Sequence, residues 1–234
     1  EAAFEGTFNG QGSRLYGLQY DAGYSDNIGF FGKIGSGGEV KNLALDVYFQ
    51  SSGGSVAGIL AGINQGAIDS CVVRGVVSQP YSTVGGIAGL NQGIISNCRV
   101  DAFLFAVQDA GGITADNTGG LIQNCLFAGS LNASNTYGIA GAGAAENVDA
   151  SFYGTESSGA AQSFGGEGRL DSELTEKATY SAWDFACTDS DGTNDKWYLC
   201  TGCGEMPILE WQRDGLDFLC PEGVGITEFG VFAS

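Results

Sequence analysis

Through most of residues 1–158 the apolar positions come in short alternating runs, such as Cys71/Val73 and Cys98/Val100, and Gly or Asn interrupts each run after a few residues. An amphipathic helix would instead repeat apolar residues at i, i+3, i+4 and i+7 over ten or more positions. The pattern predicts short strands joined by tight turns. The runs also recur. "SVAGILAGINQGAIDSCVVRGVV" from Ser55 and "TVGGIAGLNQGIISNCRVDAFL" from Thr83 align Gly58 with Gly85, Asn64 with Asn91, Ile68 with Ile95 and Cys71 with Cys98, each pair 27 residues apart. A third copy, "GGITADNTGGLIQNCLFAGSL", keeps the offset at Gly120, Ile122, Asn124, Cys125 and Phe127. One residue is inserted before Gly120, which predicts a local bulge. Weaker copies flank these, with Leu43 near the cysteine slot and Phe152 lying 27 residues beyond Cys125.

A tandem period of this length means units that cannot bury their apolar faces alone, hence a solenoid, propeller or array. Propeller blades are longer, and the strand-like rhythm excludes helical repeats, so the prediction is an all-β parallel β-helix with one turn per repeat. Equivalent residues should then stack at ~4.8 Å. Cys71, Cys98 and Cys125 are expected to form an inward column continued by Leu43 and Phe152. Neighbouring rungs hold Cβ atoms farther apart than the ~3.8 Å a disulfide prefers, so these are read as buried free thiols acting as small hydrophobes, with a soft-metal or redox site as the alternative. Ser70, Asn97 and Asn124, one residue earlier, are expected at a corner where stacked polar side chains satisfy turn backbone. Asn64 and Asn91 make a second such corner, with Asn117 or Thr118 taking the place in the third copy. Arg74 and Asp101 should form a surface ion pair.

Composition sharpens this picture. The chain has 234 residues with 40 Gly and only three Pro, which disfavours both helices and collagen. Its 27 acids against 9 bases give a formal charge of −18, and it contains no His. Without a basic patch, nucleic acid is not an expected partner. No apolar run approaches the ~18 residues of a membrane span, so no membrane insertion is expected. The repeat begins almost at residue 1, which predicts either a cut from a longer protein or an edge covered by something else.

"GGIAGLNQGIISNC" resembles the GLUG repeat, named for its Gly-Leu-x-Gly core, with Asn-x-Gly and Asn-Cys following. The resemblance covers roughly residues 4–160. "FEGTFNGQGSRLYGL" resembles the lead-in rung of such arrays, "SFYGTESSG" their exit, and "LDSELTEKATYSAWDF" with "MPILEW" the tail that often follows. It implies a right-handed β-helix with an extracellular or cell-surface role in a bacterium, structural or adhesive, and it carries over no catalytic residue.

Beyond the repeat domain, residues 1–158, lies a tail segment, residues 159–234, holding all three tryptophans and four further cysteines. It is expected to cap the coil, because a bare solenoid end exposes strand edges and an open core. "LDSELTEKATY" reads as a short helix with Asp171 or Ser172 as N-cap. Cys187, Cys200, Cys203 and Cys220 are disulfide candidates, with a zinc site as the alternative. Asp189, Asp191 and Asp195 in "DSDGTND" are a calcium candidate, though a solvated acidic turn is the commoner explanation of such a stretch; no other cofactor is expected.

Parallel β-helices also host polysaccharide lyases and hydrolases, which need paired carboxylates, or calcium-binding acids beside a base. The central rungs carry only Asp69, Arg74, Arg99, Asp101, Asp109 and Asp116 as charges, with no evident acid cluster. The expectation is therefore a non-catalytic structural or adhesive protein that self-associates head to tail into a filament. A glycan or another cell-surface ligand is a further possible partner, and a polysaccharide-binding or -degrading β-helix is the alternative.

Overall fold

A computed structural model describes residues 2–21, 23, 26–50, 56–79, 83–186, 195–200 and 203–213. The repeat forms a parallel β-solenoid. One face stacks Asn27–Ile28, Val56–Gly58, Thr83–Gly85, Asp109–Gly111 and Asn135–Tyr137. A second stacks Phe31–Ile34, Ala61–Asn64, Ala88–Asn91 and Thr114–Asp116. The third is a large sheet bent along a corner. Its short arm contains Ala67–Asp69, Ile94–Ser96 and Leu121–Gln123, its long arm Val72–Gln79 and Arg99–Ala106, and Glu39–Gln50 spans both. The register advances by 28 residues from Ala44 to Val72, by 27 from Val72 to Arg99, and by 26 from Leu126 to Phe152.

Inward positions alternate along every strand, and Ile68, Ile95, Ile122, Val73, Val100 and Phe127 are wholly buried. Glycine is required where the chain leaves the Asn corner, since a Cβ at Gly93 would collide with the Gly66 carbonyl of the preceding rung. The expected bulge is present as a turn at Thr118–Gly119, with Gly119 at φ +89°.

The two ends differ. After Gly154 the chain makes a shortened coil. Leu131 N–H donates to Ser158 O, Phe164 N–H donates to Ala140 O, and Glu167–Arg169 returns to pair with Phe152–Gly154. That return takes 15 residues from Phe152 to Glu167, about half a normal rung, so the coil narrows over its core. At the other end Thr7–Asp21 pairs with Glu39–Gln50 through two register shifts, and the rings of Phe4, Phe8, Phe30 and Phe31 cluster over the interior.

The described part of the tail runs along the flank of the coil, where the expected cap would have crossed an end. Apart from Arg99, outward side chains on the long arm next to the corner are apolar, namely Ala44, Val72, Leu126 and Phe152, and the tail covers them with Leu174, Tyr180, Trp183, Phe185, Trp197 and Leu209. Trp183 stacks on Trp197 with ring centroids 4.1 Å apart. The "LDSELTEKATY" segment forms two 3-10 turns, Glu173–Thr175 and Lys177–Tyr180, with Ser172 at the first N-cap. Its side chain makes no capping bond; Glu173 instead accepts from Leu170 N–H at 2.8 Å. This strap travels back along the axis, from Trp183 at Ala150 to Trp211 beside Gly12 of the Thr7–Asp21 strand.

Candidate functional site

The cysteine column and the corner beside it form one device. Asn42, Ser70, Asn97 and Asn124 all adopt the left-handed conformation, with φ between 50° and 53°. Asn tolerates that region better than other non-glycine residues, which is why the sequence repeats it there. The kink turns the carbonyl two residues before each cysteine toward its thiol. Cys71 Sγ donates to Asp69 O at 3.3 Å, Cys98 Sγ to Ser96 O at 3.1 Å and Cys125 Sγ to Gln123 O at 3.2 Å. All three are free thiols with no exposed surface.

The inward column does not continue to Phe152. The last full rung is one residue shorter, so Ser151 takes the slot and Phe152 points outward beneath the strap. Ser151 Oγ repeats the thiol's role by donating to Asp149 O at 2.8 Å. Leu43 occupies the slot at the other end, as expected. Burial pushes the Cys71 and Cys125 thiols well above the ordinary range.

The second corner is a buried amide ladder. Asn64 Nδ2 donates to Asn91 Oδ1 at 2.8 Å, Asn91 Nδ2 to Asn117 Oδ1 at 2.7 Å, and Asn117 Nδ2 to Gly120 O at 3.2 Å. Of the two candidates in the third copy, Asn117 holds the place.

Charged groups on the rungs are tied together. Asp69 accepts from Ser96 Oγ, Asn97 Nδ2 and Ser70 Oγ, and from Lys196 Nζ of the strap at 3.0 Å. Burial alone would raise its carboxyl, but the bonds from Asn97, Ser96 and Lys196 outweigh that and hold it below the usual carboxylate value. Arg74 meets Asp101 at 3.2 Å, the pair expected from their spacing, and Arg99 meets the same carboxylate at 2.7 Å. Arg99 Nη1 also donates to Pro207 O at 2.6 Å and Met206 O at 3.3 Å. Left-handed corners leave outward carbonyls that the strap uses: Trp183 Nε1 donates to Ala150 O and Trp211 Nε1 to Ser70 O. None of these anchors was assigned from the sequence, because each pairs a repeat position with a non-repeating one far along the chain.

Beyond the column of Ala44, Val72, Leu126 and Phe152, no described apolar residue of the strap covers the long arm's outer face. Alternation along Glu39–Gln50, Val72–Gln79 and Arg99–Ala106 turns Asp46, Tyr48 and Gln50, then Arg74, Val76 and Ser78, then Asp101, Phe103 and Phe105 to one side. Tyr48 is 50% and Phe103 39% exposed. The period-two pattern could have singled out this aromatic strip, but only the register shows that its members share a column.

In the tail, Cys200 and Cys203 are bonded to each other, while Cys187 and Cys220 lie outside the described residues. Of the calcium candidates Asp189 and Asp191 also lie outside them. Asp195 is half-buried, with one carboxylate oxygen that meets no hydrogen-bond partner among the described residues. Among those residues no three His, Cys, Asp or Glu side chains converge as metal ligands. Comparison with known proteins finds no matching family model, no matching curated protein and no matching solved structure.

Proposed function

We propose that this chain is a non-catalytic extracellular β-solenoid of the GLUG kind, structural and adhesive in role, that self-associates end to end. The observation that carries this reading is the use of the rung carboxylates Asp46, Asp69 and Asp101 on the large sheet. Asp46 is paired with Arg14, Asp101 with Arg74 and Arg99, and Asp69 with Lys196, so these groups stitch rung to rung and coil to strap. A general acid or base must instead be free to exchange its proton with substrate. The Cys200–Cys203 disulfide supports an oxidising compartment. Self-association is supported by the outer edge of Thr7–Asp21, which among the described strands pairs with Glu39–Gln50 alone.

The test is to incubate the chain, with and without calcium, with a panel of neutral and acidic polysaccharides, and to measure new reducing ends and unsaturated products. No bond cleavage is expected. Sustained release of either product would replace this reading with the lyase or hydrolase alternative.

A further inference from the structure

We infer that the outer face of the long arm binds an uncharged polysaccharide strand, with pyranose rings stacked on Tyr48 and Phe103. This rests on the adhesive reading above and names the ligand class.

Three features of the face point there. Gln19, Tyr48, Val76, Phe103 and Ser130 stand in register across successive rungs, so Tyr48 and Phe103 are two rungs apart in one column with the low side chain of Val76 between them. Two rungs span about 9.6 Å, twice the inter-strand spacing. That is close to the length of two pyranose units in an extended chain. Successive aromatic platforms would therefore meet every second sugar of a strand lying along the coil axis, and the apolar C–H face of a sugar packs on an aromatic ring. Both rings are well exposed, and they share one column rather than standing singly.

The strip is also bordered by hydrogen-bonding groups on both sides. Gln50, Ser78 and Asn132 line one border, with Phe105 between the last two, and Asp46, Arg74 and Asp101 the other. Hydroxyl groups at the sugar edges need donors and acceptors of this kind, which an apolar protein partner would leave unsatisfied.

Charge then selects among glycans. The chain carries −18 overall, which repels polyanions. On this face Arg14, Arg74 and Arg99 are each held in an ion pair with Asp46 or Asp101, so their charges are turned to the protein's own carboxylates rather than grouped as a clamp for a uronate or sulfate. Such a strip on an acidic molecule suits an uncharged strand.

The experiment is calorimetric titration of the full chain with neutral β-linked oligosaccharides (gluco-, manno- and xylo-hexaoses) and with hexagalacturonate. Wild type is compared with Tyr48→Ala, Phe103→Ala and Phe103→Trp, and sedimentation is measured on each protein. At least one neutral hexaose should bind, Tyr48→Ala and Phe103→Ala should each weaken it five-fold or more, and Phe103→Trp should retain it. Hexagalacturonate should bind at least ten-fold more weakly. The inference is overturned if no neutral hexaose binds, if both alanine variants bind as wild type does, or if hexagalacturonate binds as well. It is also overturned if Phe103→Ala dissolves a dimer seen in wild type, because a second copy is then the occupant. Failure here leaves the non-catalytic reading standing, whereas bond cleavage in the assay above would remove that reading and leave this face intact.

Discussion

A cysteine recurs every 27 residues because the corner before it creates a small apolar slot lined by a carbonyl, and a thiol is both compact and a weak donor. Ser151 fills the same slot with the same bond, whereas Leu43 fills it with apolar volume alone, so the slot accepts a donor without requiring one. Replacing Cys98 by Asp would bury a carboxylate with no cation beside it and should cost about 3 kcal/mol or more, if the chain folds at all. Cys98→Ser keeps the donor, Cys98→Val keeps the apolar volume, and each should cost about 1 kcal/mol. Chemical denaturation checks the order; equal stability of the Asp and Val variants would contradict the inward placement. A second expectation follows from zero exposure. Cys71, Cys98 and Cys125 should resist alkylation in the native protein, while Cys200 and Cys203 should react only after reduction, as read by mass spectrometry before and after denaturation.

The strap is the element that the repeats do not specify by themselves. Its aromatic side chains cover the apolar outward column, but its register along the coil is set by polar anchors: Lys196 on Asp69, Arg99 on the Pro207 carbonyl, and the indoles of Trp183 and Trp211 on corner carbonyls. Removing the Trp183 ring should cost about 3 to 5 kcal/mol. Acid should act on the same element. Because the Asp69 carboxyl lies lower when folded than when unfolded, its contribution is present above the ordinary carboxylate value near ~3.9 and is lost as pH falls through the lower folded value. Near-ultraviolet circular dichroism, which senses the stacked tryptophans, should therefore change on acidification before the far-ultraviolet strand signal does. In Lys196→Met the strap should already be looser at neutral pH, and the separation between the two transitions should widen. Coincident transitions in both proteins would show that Asp69 does not control strap docking.

Across the whole molecule each rung rests on its neighbours, so the ends decide what the coil does next. The narrowed coil after Gly154 closes one end over the core. At the other, Thr7–Asp21 lies beside the phenylalanine cluster and, among the described strands, pairs with Glu39–Gln50 alone. A head-to-tail contact there propagates unless its rotation closes a ring. With −18 on each copy, repulsion opposes that contact and salt should relieve it. The sedimentation coefficient should rise from low to high ionic strength or with calcium. Thr7→Lys combined with Gln19→Lys, which puts charges on the edge, should suppress the rise. A chain that stays monomeric at every salt and concentration would leave the adhesive role without assembly.

The coil was legible from the sequence because a solenoid turns tertiary contacts into a fixed step along the chain: the neighbour of residue i is residue i+27, so the Asn ladder and the Cys column appear as repeated letters. The same logic explains Arg74 with Asp101. It failed where the step changed, at Phe152, because a single deleted residue exchanges the inward and outward sides of a strand and nothing local marks the slip. It also could not find the strap's course. Lys196 reaches Asp69 across 127 residues and Trp211 reaches Ser70 across 141, with no period to announce either contact. Which flank the tail covers follows from which outward residues are apolar and which corner carbonyls are left without a partner. Those properties belong to a surface assembled from several rungs, and so they exist only once the coil has formed.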